Sequence, residues 1–219
     1  MSRDPVRAAS QFFGGRVCLD FANTLDWRLT DSPVELIPDY PALLAWSERR
    51  GTLPARTVAR LRASGARSTE AGAVLREARL LRAQIWAIAE ELIGRRHARL
   101  NAVNRRLTEL PSQPDLRIQG SRYVFDLDGR DLRQPLWPVL WSLTAVLTSD
   151  DAARMGNCGA EGCGWYFIDE SPSRSRRWCS SEVCGNRERA RRAYARRRSG
   201  VSLARSTSTK PASPRRPPG

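Results

Sequence analysis

The sequence predicts an α+β chain: a mostly helical amino-terminal domain with a short opening strand and a β-hairpin, then a small four-cysteine module of treble type that ends in a basic helix. Three observations predict it. Apolar residues recur at three- and four-residue steps through the middle of the chain, and a short alternating segment folds back around a glycine turn. Near the carboxyl end, Cys158, Cys163, Cys179 and Cys184 are spaced C-x4-C, fifteen residues, C-x4-C. At 219 residues with 41% hydrophobic side chains, the chain can bury one main core and a small appendage. Boundaries are expected at 1–150, 151–199 and 200–219.

Phe12-Phe13-Gly14-Gly15-Arg16-Val17-Cys18-Leu19 mixes aromatic and β-branched residues with a Gly-Gly turn, which predicts a short strand running into a capped helix. Asp20 and Asn23 are the caps such a turn wants; lining a ligand pocket together with Asp26 ranks second. Pro33, Pro38 and Pro41 mark a loop, and Pro41 then starts a short helix with Leu43, Leu44 and Trp46. From Thr69 to Leu110 the apolar steps predict one long amphipathic helix, bent near Gly94 and stopped by Pro111. Leu116–Gln119 and Tyr123–Leu127 alternate around Gly120-Ser121-Arg122 in the form of a β-hairpin. Pro135 and Pro138 bound the entry to a buried helix that runs to about Met155. Beyond Gly200, Ser, Thr, Pro and basic residues predict a disordered basic tail.

Charge is unevenly placed. The net charge is +14, and residues 154–219 hold fifteen Arg or Lys against five Asp or Glu. A field concentrated at one end speaks for a local polyanion. No sustained apolar run opens the chain, and Trp137–Leu147 is shorter than the roughly 20 residues that span a bilayer. The protein is therefore expected to be cytoplasmic, with no membrane partner.

In a reducing compartment, clustered cysteines hold metal more often than they form disulfides. Two C-x4-C pairs can close a tetrahedron around one Zn2+ and leave no open position, so the expected cofactor is structural. Cys18 lies outside the cluster and reads as a small core residue. Trp165, Tyr166, Phe167 and Trp178 fall between the pairs, where packing around the metal ranks ahead of stacking on bases. Asp169, before Glu170-Ser171-Pro172, suits a tight turn.

After Cys184, Gly185 and Asn186 suit a turn, and Arg187–Arg198 reads as a helix. Ala190, Ala193 and Tyr194 form its apolar edge, expected to dock on the metal module, and Glu188 is its one acid. Contacts to nucleic acid, DNA first, are expected from Arg174, Arg176, Arg177, Arg187, Arg189, Arg191, Arg192, Arg196, Arg197 and Arg198.

The segment Arg176-Arg177-Trp178-Cys179-Ser180-Ser181-Glu182-Val183-Cys184-Gly185-Asn186-Arg187 resembles the hallmark of the CGNR zinc-finger family, together with Cys158, Cys163 and Phe167-Ile168-Asp169. Upstream, Gly15-Arg16-Val17-Cys18-Leu19-Asp20-Phe21-Ala22-Asn23-Thr24 resembles the opening of the ABATE domain, described as a stress-induced transcription regulator. The resemblance implies a bacterial DNA-binding regulator with one zinc per finger. It further implies an amino-terminal domain that senses a signal, an unidentified small-molecule effector, or pairs protomers as a homodimer.

Two other classes compete: an RNA- or protein-binding zinc adaptor, and a thiol redox-sensing module. An enzyme ranks last. No P-loop, dinucleotide fingerprint, His-Glu-x-x-His or nucleophile elbow occurs, and the lone His97 reads as a surface residue of the long helix.

Overall fold

A short buried helix, α1 (Val17–Ala22), threads the core of the amino-terminal unit, with Cys18, Leu19, Phe21 and Ala22 at most 1% exposed. In the computed structural model, residues 12–65, 69–110, 115–126 and 131–206 are described. The expected opening strand is not formed. Residues 12–16 are irregular, and Phe12 and Phe13 pack onto two different apolar clusters. A Cβ on Gly14 would lie 2.8 Å from the Asp20 nitrogen and from the Leu19 Cβ, so glycine lets the segment fold back on α1. Asp20 accepts the Gly14 N–H at 2.8 Å from within the helix and pairs with Arg50 at 2.7 Å. Burial raises its carboxyl above the usual range against the pull of Arg50. Cys18 is a core residue as expected, its thiol pushed up to about 12 by burial.

A two-residue pair, β1 (Leu25–Asp26) and β2 (Val34–Glu35), follows. Helix α2 (Tyr40–Arg50) forms where Pro41 predicts it: Asp39 caps it by accepting the Ala42 N–H at 2.8 Å, and Gly51 ends it at φ 73°. Sequence reasoning passes over α3 (Ala55–Gly65), whose arginines leave only Val58 and Leu61 as large buried side chains. The long helix expected through Leu110 is two, α4 (Thr69–Ile93) and α5 (Asn101–Leu107). Arg95 takes a left-handed φ of 54° after Gly94, and Glu91 bridges the break by accepting the Arg99 N–H and Nε at 2.9 Å. His97 lies in this connection, exposed, rather than on a helix.

Strands β3 (Asp115–Gln119) and β4 (Arg122–Asp126) form the expected hairpin, with Leu116 opposite Phe125 and Ile118 opposite Tyr123; Leu127 lies outside the described residues. Helix α6 (Trp137–Leu147) follows a 3-10 turn at Gln134–Leu136. It stops well short of Met155, because Ser149 caps a separate 3-10 turn, Asp150–Arg154, by accepting the Asp151 N–H. No helix among the described residues is long and apolar enough to cross a membrane.

The core does not end at residue 150. Tyr166 and Ile168 belong to the same buried cluster as Leu81, Ile85 and Val139, so Tyr166 does not pack around the cysteines as expected. Trp165 and Phe167, on the other face of that segment, do. The alternation is that of a strand sandwiched between two cores.

Candidate metal centre and basic helix

Strands β5 (Met155–Asn157) and β6 (Tyr166–Ile168) pair antiparallel and hold the first cysteine pair in the loop between them. Cys158 donates its N–H to the Trp165 carbonyl at 2.8 Å, and Gly162 and Gly164 take φ of 76° and 70° on either side of Cys163. The second pair is set by a wide turn, Ser181–Gly185, capped where the Ser180 Oγ accepts the Val183 N–H at 3.2 Å. Gly185 and Asn186 are thus the end of that turn and the start of α7 (Asn186–Ser206). This helix continues past Gly200, where the sequence places a disordered tail; residues 207–219 lie outside the described residues.

The four Sγ atoms lie within 4.8 Å of one another. Cys163 to Cys179 is 3.8 Å, Cys179 to Cys184 3.4 Å and Cys184 to Cys163 3.7 Å. A tetrahedral site with Zn–S bonds of about 2.3 Å has sulfur–sulfur edges of about 3.8 Å, so the donor set fits zinc in type and size. These separations are well beyond the roughly 2.05 Å of a disulfide. Each cysteine is 2–4% exposed. A divalent cation suits four converging sulfurs because it stabilises every thiolate at once.

The centre is bolted to the amino-terminal unit. Asn23 takes the Tyr166 N–H at 2.8 Å and donates Nδ2 to the Tyr166 carbonyl at 2.9 Å, both buried, so its amide acts as one rung of a sheet. It is not the helix-start cap the sequence suggests. Arg28 lies 5.0 Å from the rings of Trp86 and Tyr166 and donates to the Tyr166 hydroxyl at 2.6 Å. Leu29 N–H bonds the Gly162 carbonyl at 3.3 Å. A Cβ on Gly162 would meet Thr30 Cγ2 at 2.5 Å, which is how closely the 27–30 turn approaches the cysteine loop. Gly162→Val should therefore lower stability by about 2–4 kcal/mol, from the clash and the left-handed backbone together. Thermal melting of zinc-loaded protein checks this, and an unchanged midpoint would mean the turn moves aside freely.

Asp169 organises the connection to Cys179 as its turn position predicts. Burial would raise its carboxyl, but the Ser171 hydroxyl at 2.6 Å and the Ser171 and Arg176 N–H groups at 2.9 Å prevail and hold it below the usual range. Arg176 is wholly engaged in structure: it donates to the carbonyls of Trp178, Ile168, Phe13 and Cys179 and stacks 4.2 Å from Phe167.

The other arginines divide. Arg187 lies 4.2 Å over Trp27, and Arg191 pairs with Glu161 at 2.5 Å and Glu188 at 3.0 Å. Arg177 stacks on Trp178 and Arg198 on Tyr194, at 5.4 and 5.8 Å. Arg174 sits exposed in the turn at φ 47°, its N–H on the Ser171 carbonyl. Arg189 bonds Asn186 and Ser181, while Arg192, Arg196 and Arg197 are exposed without a polar partner among the described residues. Of the expected apolar edge, Ala190 and Tyr194 are exposed and only Ala193 is half-buried; the side chain that seats the helix is Glu188, 3% exposed. Sequence reasoning missed Asn23 as a strand clamp and Trp27 and Arg28 altogether; glycines on both sides of Cys163 were the one signal of a close neighbour.

A helical unit and a closed four-cysteine centre joined through one shared strand, with a basic helix beyond them, define the class: a zinc finger fused to a helical domain. Residues 15–150 match the ABATE family, described as a putative stress-induced transcription regulator, and residues 154–197 match the CGNR zinc finger. The chain belongs to the ABATE family and carries a CGNR zinc finger at its carboxyl side. No curated protein matches it. Both descriptions concern regulation and metal binding and name no reaction.

Proposed function

We propose that this protein is a bacterial, stress- or signal-responsive transcription regulator that binds DNA through its zinc finger. One Zn2+ would be held by Cys158, Cys163, Cys179 and Cys184 and would supply structure rather than chemistry. The observation that carries the reading is α7: its first turn is locked to the cysteine centre, and it presents arginines without protein partners to solvent. A rigid cationic helix of this kind suits phosphate tracking and the major groove. The amino-terminal unit, taken as residues 1–150, would then be the sensing or pairing part, because its 27–30 turn contacts the finger directly.

The thiol redox reading ranks lower, since none of the four cysteines exceeds 4% exposure and oxidants reach buried sulfur poorly. Selection from a random duplex pool with zinc-loaded protein at physiological ionic strength tests the proposal. A recovered motif is the expected result, and its symmetry reports the number of protomers bound. Recovery of duplexes without a motif would support the adaptor reading instead.

A further inference from the structure

Successive residues of an α-helix turn by about 100°. Arg187, Arg191 and Arg198 therefore lie along one side of α7, and Arg189, Arg192 and Arg196 along the opposite side. Near the cysteine centre the first side is occupied by the protein itself, while Arg198 further along is exposed and stacks only on Tyr194 of the same helix. Arg187 stacks on Trp27 and donates to the Glu161 carbonyl at 3.4 Å. Arg191 is neutralised by Glu161 and by Glu188, which is nearly fully buried beneath it. The opposite side is open: Arg192 and Arg196 are exposed with no polar partner among the described residues. Arg189 extends this stripe back to the cysteine centre, its Nη1 3.3 Å from where a Gly185 Cβ would stand, beside Trp178.

We infer that α7 meets nucleic acid with the Arg189–Arg192–Arg196 side, and that Arg187 and Arg191 position the helix without touching phosphate. The inference rests on the nucleic-acid reading above. Its physical basis is competition. An arginine already paired to two carboxylates carries no net field to a polyanion, and freeing it would strand buried Glu188. An unpaired arginine releases counterions from the phosphates it neutralises, and each such contact adds about 0.9 to the slope of log K against log salt. The stripe is also the side that α7 turns away from Trp27, so a duplex can reach it without displacing the amino-terminal unit.

The full-length zinc-loaded chain should be titrated against a mixed-sequence duplex at salt concentrations from about 50 to 200 mM. The double variant Arg192→Gln/Arg196→Gln is expected to lower the salt slope by about 1.8, so that its loss of affinity is about tenfold larger at about 50 mM than at about 200 mM. Arg187→Gln and Arg191→Gln are expected to keep the slope; Arg187→Lys, which retains charge, guards against misfolding. Zinc content, read with a chromogenic chelator, reports whether each variant keeps its finger. A slope that falls in the Arg187 or Arg191 variants at full zinc content, and is unmoved in the double variant, would overturn the inference. Failure of the unsubstituted chain to bind duplex at all overturns the nucleic-acid reading itself, and is thereby distinguishable.

Discussion

Stripping the metal, or replacing Cys179 by serine, is expected to unfold the finger and to destabilise the amino-terminal unit with it. Apparent binding energies of structural zinc in finger peptides are about 10–16 kcal/mol near neutral pH, as large as the roughly 5–15 kcal/mol that stabilise a whole domain. The apolar cluster around the centre is small, built from the cysteines themselves with Ala160, Trp165 and Phe167 and edged by Phe13 and Trp178, so the metal is its main internal support. The loss spreads because β6 is shared. When the cysteine loop melts, Tyr166 and Ile168 lose the strand that places them in the main core, and each large buried side chain contributes about 1.5–3 kcal/mol. Amide exchange before and after chelation is the measurement. The expected pattern is complete loss of protection in β5, β6 and the first turn of α7, with a partial loss in α1 and α4, whose residues touch that strand. Full protection after chelation, with four titratable thiols, would show that metal does not hold this fold.

Asn23→Ala is the second large effect, expected to cost about 2–6 kcal/mol. The estimate follows from leaving the buried N–H and C=O of Tyr166 without partners, at about 1–3 kcal/mol each. For a chain of this size that lowers the melting midpoint by roughly 5–15 °C. Asn23→Asp should be no better, because it keeps an acceptor for the Tyr166 N–H but sets a buried carboxylate against the Tyr166 carbonyl. Both should loosen the finger from the amino-terminal unit while leaving the cysteines within reach of one metal. Zinc content that stays at one ion per chain while the midpoint falls would be the signature. A variant that melts like the parent would show that the Arg28 and Leu29 contacts suffice by themselves.

Much of this molecule is legible locally. The α2 helix follows from Pro41 with Leu43, Leu44 and Trp46, the hairpin from the alternation on either side of Gly120, and the cysteine centre from its two spacings. Each depends on residues close in sequence, where backbone preference and side-chain period act directly. The errors fall where a local preference is overridden or a long-range partner is needed. Phe12 and Phe13 have the composition of a strand but no strand to pair with among the described residues, and they pack instead on separate clusters. The helical period crosses residues 94–100, yet Gly94 and a left-handed Arg95 break it, and Glu91 satisfies the far side of the gap. The apolar edge of α7 looked like a docking stripe by composition, but the buried seat is an acid whose charge is matched by Arg191.

The sequence by itself determined the four-cysteine cluster, the positive charge of the carboxyl-terminal side and most helix positions, because these are properties of residue type and spacing. Only the tertiary structure decided what each arginine does. Arg176 reaches Phe13, Arg187 reaches Trp27 and Arg191 reaches Glu161, so these cations are engaged within the fold, while Arg192 and Arg196 face solvent. A guanidinium carries the same charge and the same donors in every case. Its role is set by whichever carbonyl, carboxylate or ring the folded chain brings within hydrogen-bonding or stacking distance, and those partners lie tens to more than a hundred and fifty residues away along the chain.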